Sequence, residues 1–230
     1  MSCPGCTPPT EYRRFFDRRL ARRDARRYRR GGLPKTARRL VALAGDVTGA
    51  SVLEVGGGLG ALELELLEAG AAGATNVELS GGYEEAAATL LAEHRLGGFV
   101  DRRVADFVTE ADSVGEHDVV VLHRVVCCYP DVDALVGTAA ARTGRRLLMT
   151  YPRERLLTKL GVRSTNLWLR LRGCGLRSFV HPVARIAAAA EREGLVLDER
   201  AASGLIWENA AFVRPYGRSA KTAFVPPPTT

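Results

Sequence analysis

The chain has 230 residues, of which 46% are hydrophobic and 26% charged, and this composition indicates one globular domain with a well-buried core. Its apolar runs are far too short to span a bilayer, which excludes a transmembrane protein. The formal net charge is +7, but 30 of the 33 basic residues are arginine, so a GC-rich genome accounts for the charge better than nucleic-acid binding does.

Residues 1–9 are predicted to be a disordered tail. They lack the apolar segment of a signal peptide, so we expect a cytoplasmic protein. Cys3 and Cys6 form a C-x-x-C pair that could be half of a zinc site, but no second pair completes it, and no metal site is predicted. The total of five cysteines is odd, which argues against a disulfide framework.

Residues 10–30 contain no helix breaker and are predicted to form one helix, which Gly31-Gly32 ends. Apolar side chains recur near helical spacing and arginines fill the other faces. The apolar positions are Tyr12, Phe15, Phe16, Leu20 and Tyr28. A second helix over 34–44 follows, and we expect residues 10–45 to form a helical lid.

Strands and helices then alternate, which predicts an α/β fold with a mostly parallel seven-stranded sheet and crossover helices. The predicted strands are 51–55, 75–79, 100–105, 117–122, 145–151, 195–202 and 205–213. The predicted helices are 60–69, 82–94, 131–141 with Asp131 as N-cap, and 182–193. The last two strands should form an antiparallel hairpin around Ser203-Gly204.

Two segments lie outside this alternation. Residues 153–172 are predicted to be an inserted helix or pair of helices, within a cap over about 153–180. Residues 216–230 are predicted to be a flexible tail. The main domain therefore spans 46–215, with the lid before it and the cap inserted into it.

The stretch VLEVGGGLG, residues 52–60, ends the first strand with Gly56, Gly58 and Gly60 in a G-x-G-x-G pattern. Glycine permits a sharp turn and a close ligand approach, and the following helix points N–H groups at an anionic ligand. A dinucleotide motif would have glycine where Ala61 stands. Glu54 would instead suit the ammonium or sulfonium end of S-adenosylmethionine (SAM).

With these features the sequence resembles the class I SAM-dependent methyltransferases over about residues 26–214. Their E/D-x-G-x-G-x-G motif is matched by Glu54 through Gly60. The resemblance implies that Glu78, beside Leu79, binds the ribose hydroxyls, and that Asp106 binds the adenine amino group with Phe107 beside the ring. It also implies that His123 and Arg124, after strand four, line the cofactor cleft.

Within this superfamily the nearest resemblance is to the magnesium-protoporphyrin IX O-methyltransferases. Tyr28 with Gly31-Gly32 resembles their N-terminal segment that caps SAM, and Tyr129-Pro130 resembles their segment after strand four. Residues 178–182, SFVHP, resemble the segment before their last helix. Their typical His-Tyr-Pro is replaced here by Cys128-Tyr129-Pro130, so the scaffold but not the substrate is carried over.

Four residues are candidates for catalysis: His181, His123, Tyr129 and Tyr28. A histidine with a pKa near neutrality is the natural base for a phenol or carboxylic acid acceptor. His181 is equally consistent with a structural residue at a helix N-terminus, and Tyr129 with packing. Cys127 and Cys128 are interpreted as small buried residues at a strand end.

The expected function is transfer of a methyl group from SAM to an O or N atom of a small-molecule metabolite, with S-adenosyl-L-homocysteine (SAH) as product. One alternative is a nucleic-acid methyltransferase that uses the arginine-rich helix 13–30 to bind phosphates. Another is a catalytically silent SAM-binding protein. We expect no membrane partner, disfavour nucleic acid and leave a homodimer open.

Overall fold

The computed structural model of the protein describes residues 9–215, which form seven β-strands and eight α-helices. Most of the predicted tails 1–9 and 216–230, with the Cys3–Cys6 pair, therefore lies outside the described residues. The strands are β1 (Ser51–Val55), β2 (Gly73–Glu78), β3 (Val100–Val104), β4 (His117–His123), β5 (Thr143–Pro152), β6 (Val196–Ser203) and β7 (Trp207–Val213).

The helices begin before the sheet and then alternate with its strands. They are α1 (Pro9–Phe15), α2 (Arg18–Gly31), α3 (Lys35–Ala44), α4 (Ala61–Glu68), α5 (Glu84–Glu93), α6 (Val132–Ala141), α7 (Leu156–Leu171) and α8 (Val183–Arg192). A short 3-10 turn, Gly81–Tyr83, precedes α5. The Asp131 side chain caps α6 by accepting a hydrogen bond from the Ala134 N–H at 3.0 Å, as predicted.

The strands form one sheet in the order β3-β2-β1-β4-β5-β7-β6. The pairs among β1 to β5 are parallel, whereas β7 is antiparallel to both β5 and β6. The predicted terminal hairpin is thus confirmed, with β6 at the sheet edge. Helices α3, α4 and α5 pack on one face and α6 and α8 on the other, each over an apolar cluster, so the sheet is the middle of three layers.

The prediction of one unbroken helix over 10–30 was wrong. The chain breaks at Phe16-Asp17, because the Asp17 side chain accepts a hydrogen bond from the Leu20 N–H at 2.9 Å and begins α2 as its N-cap. The Ser80 hydroxyl also donates to the Phe16 carbonyl at 2.6 Å. The break therefore attaches the N-terminal helices to the end of β2, next to the glycine loop.

The segment after β5 forms a single helix, α7. Of the two predicted possibilities, one helix or a pair, the single helix is therefore correct. It is joined to the chain that follows it by a reciprocal pair of hydrogen bonds between Asn166 and the backbone of Ser178, at 2.8 and 2.9 Å. Among residues 9–215, no helix combines the length and the apolar character needed to cross a membrane.

Candidate functional site

The glycine loop between β1 and α4 needs glycine for two different reasons. Gly56 has a φ of 64°, in the left-handed region that other residues rarely adopt. At Gly57 the reason is space, because a Cβ atom there would lie 2.3 Å from Asn76 Nδ2 and 2.7 Å from Glu54 Cδ. The loop is therefore packed against buried side chains on one side and leaves bare backbone on the other.

Both backbone groups of Gly58, its N–H and its carbonyl, are hydrogen-bonded to side chains. Its N–H donates to Glu78 Oε2 at 2.8 Å, and its carbonyl accepts a hydrogen bond from Arg102 Nη2, also at 2.8 Å. Glu78 ends β2 and Arg102 lies on β3, so two neighbouring strands fix the loop. Tyr83 packs over Gly58, with its ring 3.3 Å from the position of an added Cβ.

A buried carboxylate pair lies behind the loop. Glu54 and Glu63 are 2% and 0% exposed, and Glu54 Oε2 accepts a hydrogen bond from the Glu63 N–H at 3.1 Å. Burial raises the pKa of Glu63 to about 7, although the Arg102 cation acts in the opposite direction. Burial, and then the Glu63 charge, raise the pKa of Glu54 well above its usual value.

A cavity of about 670 Å³ opens on the other side of the loop. This volume lies within the usual range of about 300–1,000 Å³ for small-molecule sites. Ten of the thirteen predicted site residues line it: Tyr28, Gly56, Gly58, Glu78, Leu79, Asp106, Phe107, His123, Arg124 and Tyr129. Glu54, Gly60 and His181 are not among the lining residues, and Glu54 instead supports the loop from behind.

Two of the carboxylates that line the cavity, Glu78 and Asp106, have oxygens fixed by backbone donors. Glu78 is 8% exposed and also accepts a hydrogen bond from the Ser80 N–H at 2.9 Å through Oε1. Asp106 accepts from the Val108 N–H at 3.0 Å and from the Tyr129 hydroxyl at 3.3 Å, both through Oδ1. Because each carboxylate oxygen has two lone pairs, both groups retain acceptor capacity for a ligand.

His123 and Arg124 meet at a shared threonine. Arg124 Nη2 donates to Thr36 Oγ1 at 3.2 Å, and Thr36 Oγ1 lies 2.9 Å from His123 Nε2. A threonine hydroxyl has one proton and two lone pairs, so Thr36 can accept from Arg124 and still either donate to His123 Nε2 or accept from it. Arg124 has a φ of 61° and lies 4.6 Å from the ring centroid of Trp207.

We expect His123 to remain neutral far below pH 7. Burial, and then the nearby Arg124 cation, lower its pKa to about 4. The unfolded chain, with a histidine pKa of about 6.5, takes up the proton first, so His123 lowers stability by about 3 kcal/mol as the pH falls from about 6.5 to about 4. An NMR titration should place its midpoint near 4, with His123→Gln identifying the signal; a midpoint near 6.5 would contradict this.

The remaining catalytic candidates also have hydrogen-bond partners. The Tyr28 hydroxyl donates to Glu65 Oε1 at 3.0 Å, and burial followed by the Glu65 charge raises its pKa. His181 Nε2 lies 2.9 Å from the Tyr129 carbonyl, which can only accept, so this nitrogen carries a proton. The His181 ring stacks on Phe179 with centroids 5.5 Å apart. These contacts fit a structural role for His181.

Sequence reasoning missed several residues that line the cavity. They are Tyr12, Phe16, Asp24, Arg27, Arg38 and Tyr83. The Tyr83 hydroxyl donates to Asp24 Oδ2 at 2.9 Å and so joins α2 to the turn after β2. None of them belongs to a recognisable sequence motif. The aromatic spacing before the first strand did indicate that Tyr12 and Phe16 lie on an apolar face.

Cys128 also lines the cavity, from the turn that follows β4. Its Sγ lies 3.7 Å from the Sγ of Cys127, which is buried. Within residues 9–215, no group of three or more His, Cys, Asp or Glu side chains is arranged to hold a metal ion.

No protein-family model and no curated protein matches the sequence. Solved structures do match. Magnesium protoporphyrin IX methyltransferase (ChlM) from Synechocystis PCC 6803, with bound SAH, is 19% identical and has a TM-score of 0.70, covering 90% of this chain and 99% of that chain. Geranyl diphosphate C-methyltransferase from Streptomyces coelicolor is 14% identical, with a TM-score of 0.62 and coverage of 77% and 76%.

A putative RNA methyltransferase from Pyrococcus horikoshii is also similar, at 15% identity and a TM-score of 0.54 over 77% of this chain and 83% of that chain. These likenesses confirm the predicted fold, which is that of class I SAM-dependent methyltransferases. The molecules named for these three proteins range from a porphyrin to RNA, so the fold does not identify the acceptor.

Proposed function

We propose that this chain, which has the class I methyltransferase fold, binds SAM in the 670 Å³ cavity and transfers its methyl group to an O or N atom of a small molecule. The observation that carries the proposal is that three features expected of a SAM site lie around one cavity. The bare backbone of the glycine loop, the Glu78 carboxylate and the Asp106 carboxylate all line this cavity.

The residues present fit the cofactor. Glu78 ends β2 with two backbone donors already in place and keeps free lone pairs, as binding of the two ribose hydroxyls requires. Asp106 is similarly fixed and suits the adenine amino group, with the buried Phe107 beside it. The N-terminus of α4 and the cavity arginines Arg27 and Arg38 suit a carboxylate.

When bound, SAM supplies a methyl group on a sulfonium centre, which an acceptor lone pair can displace in line. The chain's own contribution is to orient the two molecules and exclude water. Tyr28, His123 and Tyr129 line the cavity, but the two hydroxyls donate to Glu65 and Asp106. His123 contacts Thr36 through Nε2, and its pKa is lowered to about 4, which makes it a weak base. We therefore favour an acceptor with a lone pair already free at neutral pH, such as a carboxylate oxygen or an uncharged nitrogen.

A small acceptor is favoured over nucleic acid because arginines of α2 pair with carboxylates of the protein itself. Arg29 forms two hydrogen bonds with Glu93, at 2.8 and 2.9 Å, and Arg22 lies 3.4 Å from Glu85. These contacts attach α2 to α5 and direct part of its positive charge to the protein itself. In addition, Tyr12 and Phe16 from the N-terminal segment line the cavity with apolar surface.

The first test is a ligand-induced change in melting temperature. At SAH concentrations about 100-fold above Kd, binding should add about 2.7 kcal/mol, or roughly 5–10 °C for a chain of this size. NAD should give no shift. Glu78→Ala should lose most of the shift because the ribose partner is removed, whereas the exposed Glu191→Ala should keep it.

Circular dichroism of both variants shows whether Glu78→Ala still folds, and Asp106→Asn gives a second variant with a smaller expected loss. A full SAH shift in folded Glu78→Ala would contradict the cofactor site. Methyl transfer is tested separately, with tritiated SAM and a metabolite extract. Label on a carbon atom or on RNA would contradict the proposed acceptor class, and SAH binding without any transfer would support the silent binder.

A further inference from the structure

Helix α7 exposes an unusual amount of apolar surface. Leu157, Leu171 and Leu156 are 82%, 78% and 72% exposed, and Leu160, Leu167 and Trp168 are between 47% and 58% exposed. Contiguous apolar patches on folded proteins commonly mark interaction sites. The surface formed by these six residues is called here the α7 surface. Within residues 9–215 it stays largely exposed, unlike the apolar face of a core helix.

These residues lie on one face of the helix. At about 100° per residue they fall within an arc of about 120°. The buried members of α7, Thr158 and Leu169, lie on the opposite side. Leu169 packs there with Tyr12 and Leu176, so the helix is anchored to the domain by one face and presents the other outward.

The turn between β6 and β7 extends this surface at the N-terminal end of α7. Leu205 and Ile206 are 84% and 52% exposed. The Ile206 carbonyl accepts a hydrogen bond from the Arg153 N–H at 2.7 Å, only three residues before α7 begins. Two separate parts of the chain therefore expose large apolar side chains at one place.

Positive charges predominate around the surface, and the adjacent Glu154 is paired with Lys159. Residues 155–190 contain seven arginine or lysine residues and no aspartate or glutamate. Basic residues flank both edges of the apolar arc: Lys159, Arg163 and Arg170 of α7 lie on one side, and Arg172, which caps the helix, lies on the other. Within the described part of the chain, Arg163 and Arg170 have no carboxylate within 4.0 Å, whereas Lys159 pairs with Glu154.

We propose that the α7 surface, with Leu205 and Ile206, docks on the headgroup region of an anionic lipid bilayer. An apolar face that carries leucine and tryptophan, bordered by arginine and lysine on both edges, is the pattern of helices that lie in the membrane interface. The basic stems lie along the apolar surface while their charged ends reach anionic headgroups. This departs from the sequence-based expectation that no membrane takes part.

A second copy of the chain fits this surface less well. Pairing α7 with its own copy would bring cations against cations, with no acidic residue in 155–190 to neutralise them. The docking does not depend on the proposed methyl transfer. It would nevertheless bring the bilayer close to the cavity, because Tyr12 both packs on Leu169 and lines the cavity.

The test is co-sedimentation of the full chain with vesicles. We expect binding to vesicles of phosphatidylcholine with phosphatidylglycerol, weak binding to phosphatidylcholine alone, and weakening at higher salt. Leu157→Asp with Leu171→Asp should lower affinity at least ten-fold. Arg163→Gln and Arg170→Gln should each lower it about five-fold.

Matched controls are Phe99→Asp, which alters an exposed apolar residue beside β3 at the opposite sheet edge, and Arg19→Gln with Arg30→Gln on α2. Circular dichroism checks folding. The proposal would be overturned if the protein did not bind anionic vesicles. It would also be overturned if the α2 variant lost binding while the α7 variants kept it. Sedimentation velocity showing a dimer that the leucine variants dissolve would overturn it as well. SAH binding by the same variants reports on the cavity independently.

Discussion

Arg102→Met should destabilise the protein by about 3–5 kcal/mol, the usual effect of leaving a buried charge without its partner. The Arg102 side chain is 9% exposed and lies 3.4 Å from Glu63 Oε1 and 2.9 Å from Glu84 Oε1. It also donates to the Gly58 carbonyl. Methionine fills a similar volume but supplies neither the charge nor the hydrogen bond, so both the carboxylates and the loop lose a partner.

The effect should depend on pH with a defined sign. Burial already raises the pKa of Glu63 to about 7, and losing the cation raises it further. The folded state then holds the proton more tightly than the unfolded chain, whose glutamate pKa is about 4.3, so stability falls as the pH rises from about 4.3 through the folded pKa. The deficit of Arg102→Met should therefore be larger at pH 8 than at pH 5.

Arg103→Met is the matched control, because this neighbour on β3 is 38% exposed and pairs with Asp101 at the surface. A surface pair of this kind contributes about 0–1 kcal/mol. Urea unfolding at both pH values measures each variant. Equal losses for Arg102→Met and Arg103→Met, or a deficit that does not change with pH, would show that Arg102 does not hold the buried carboxylates.

The fold was predictable because its signals are local. Buried parallel strands appear as short apolar runs between helices of about ten residues, and the strand-end positions of Glu78 and Asp106 follow from that alternation. Both carboxylates do line the cavity. The helix break at Asp17 has an equally local cause, a side-chain N-cap. It was not predicted because this arginine-rich segment contains no glycine or proline to indicate a break.

The support behind the loop could not be predicted in the same way. Arg102 meets Gly58 and Glu63 across 44 and 39 residues of chain, and alternation along β3 shows which face a side chain occupies but not its partner. The sequence predicts Glu54 at the ligand, from its motif position and from the match of a carboxylate to the cationic end of SAM. The structure turns it behind Gly57, toward the Glu63 N–H.

The loop is consequently held between two sets of carboxylates with different surroundings. Glu78, on the cavity side, has two backbone donors fixing its orientation. On the buried side, Glu63 pairs with Arg102, and Glu54 accepts a hydrogen bond from the Glu63 N–H. Burial raises the pKa of all three carboxyl groups. The first set has lone pairs for a ligand, and the second fixes the backbone that the ligand would contact.

Gly57→Ala should lower stability by about 1–3 kcal/mol, the usual effect of adding a methyl group to a filled site, and remove most of the SAH-induced shift in melting temperature. The new Cβ would lie 2.3 Å from Asn76 Nδ2 and 2.8 Å from Glu54 Cγ. Neither neighbour can move freely. Asn76 is fully buried and donates to Glu63 Oε2 at 2.8 Å, and Glu54 holds the Glu63 N–H.

The methyl group must therefore push the loop toward the cavity, where the ligand would lie. Gly115→Ala is the matched control, because an added Cβ there has no atom within 4 Å and should change stability by no more than about 0.5 kcal/mol. Melting curves with and without SAH measure both effects. If Gly57→Ala melted like the parent protein and kept the full SAH shift, the buried carboxylates could not be what positions the loop.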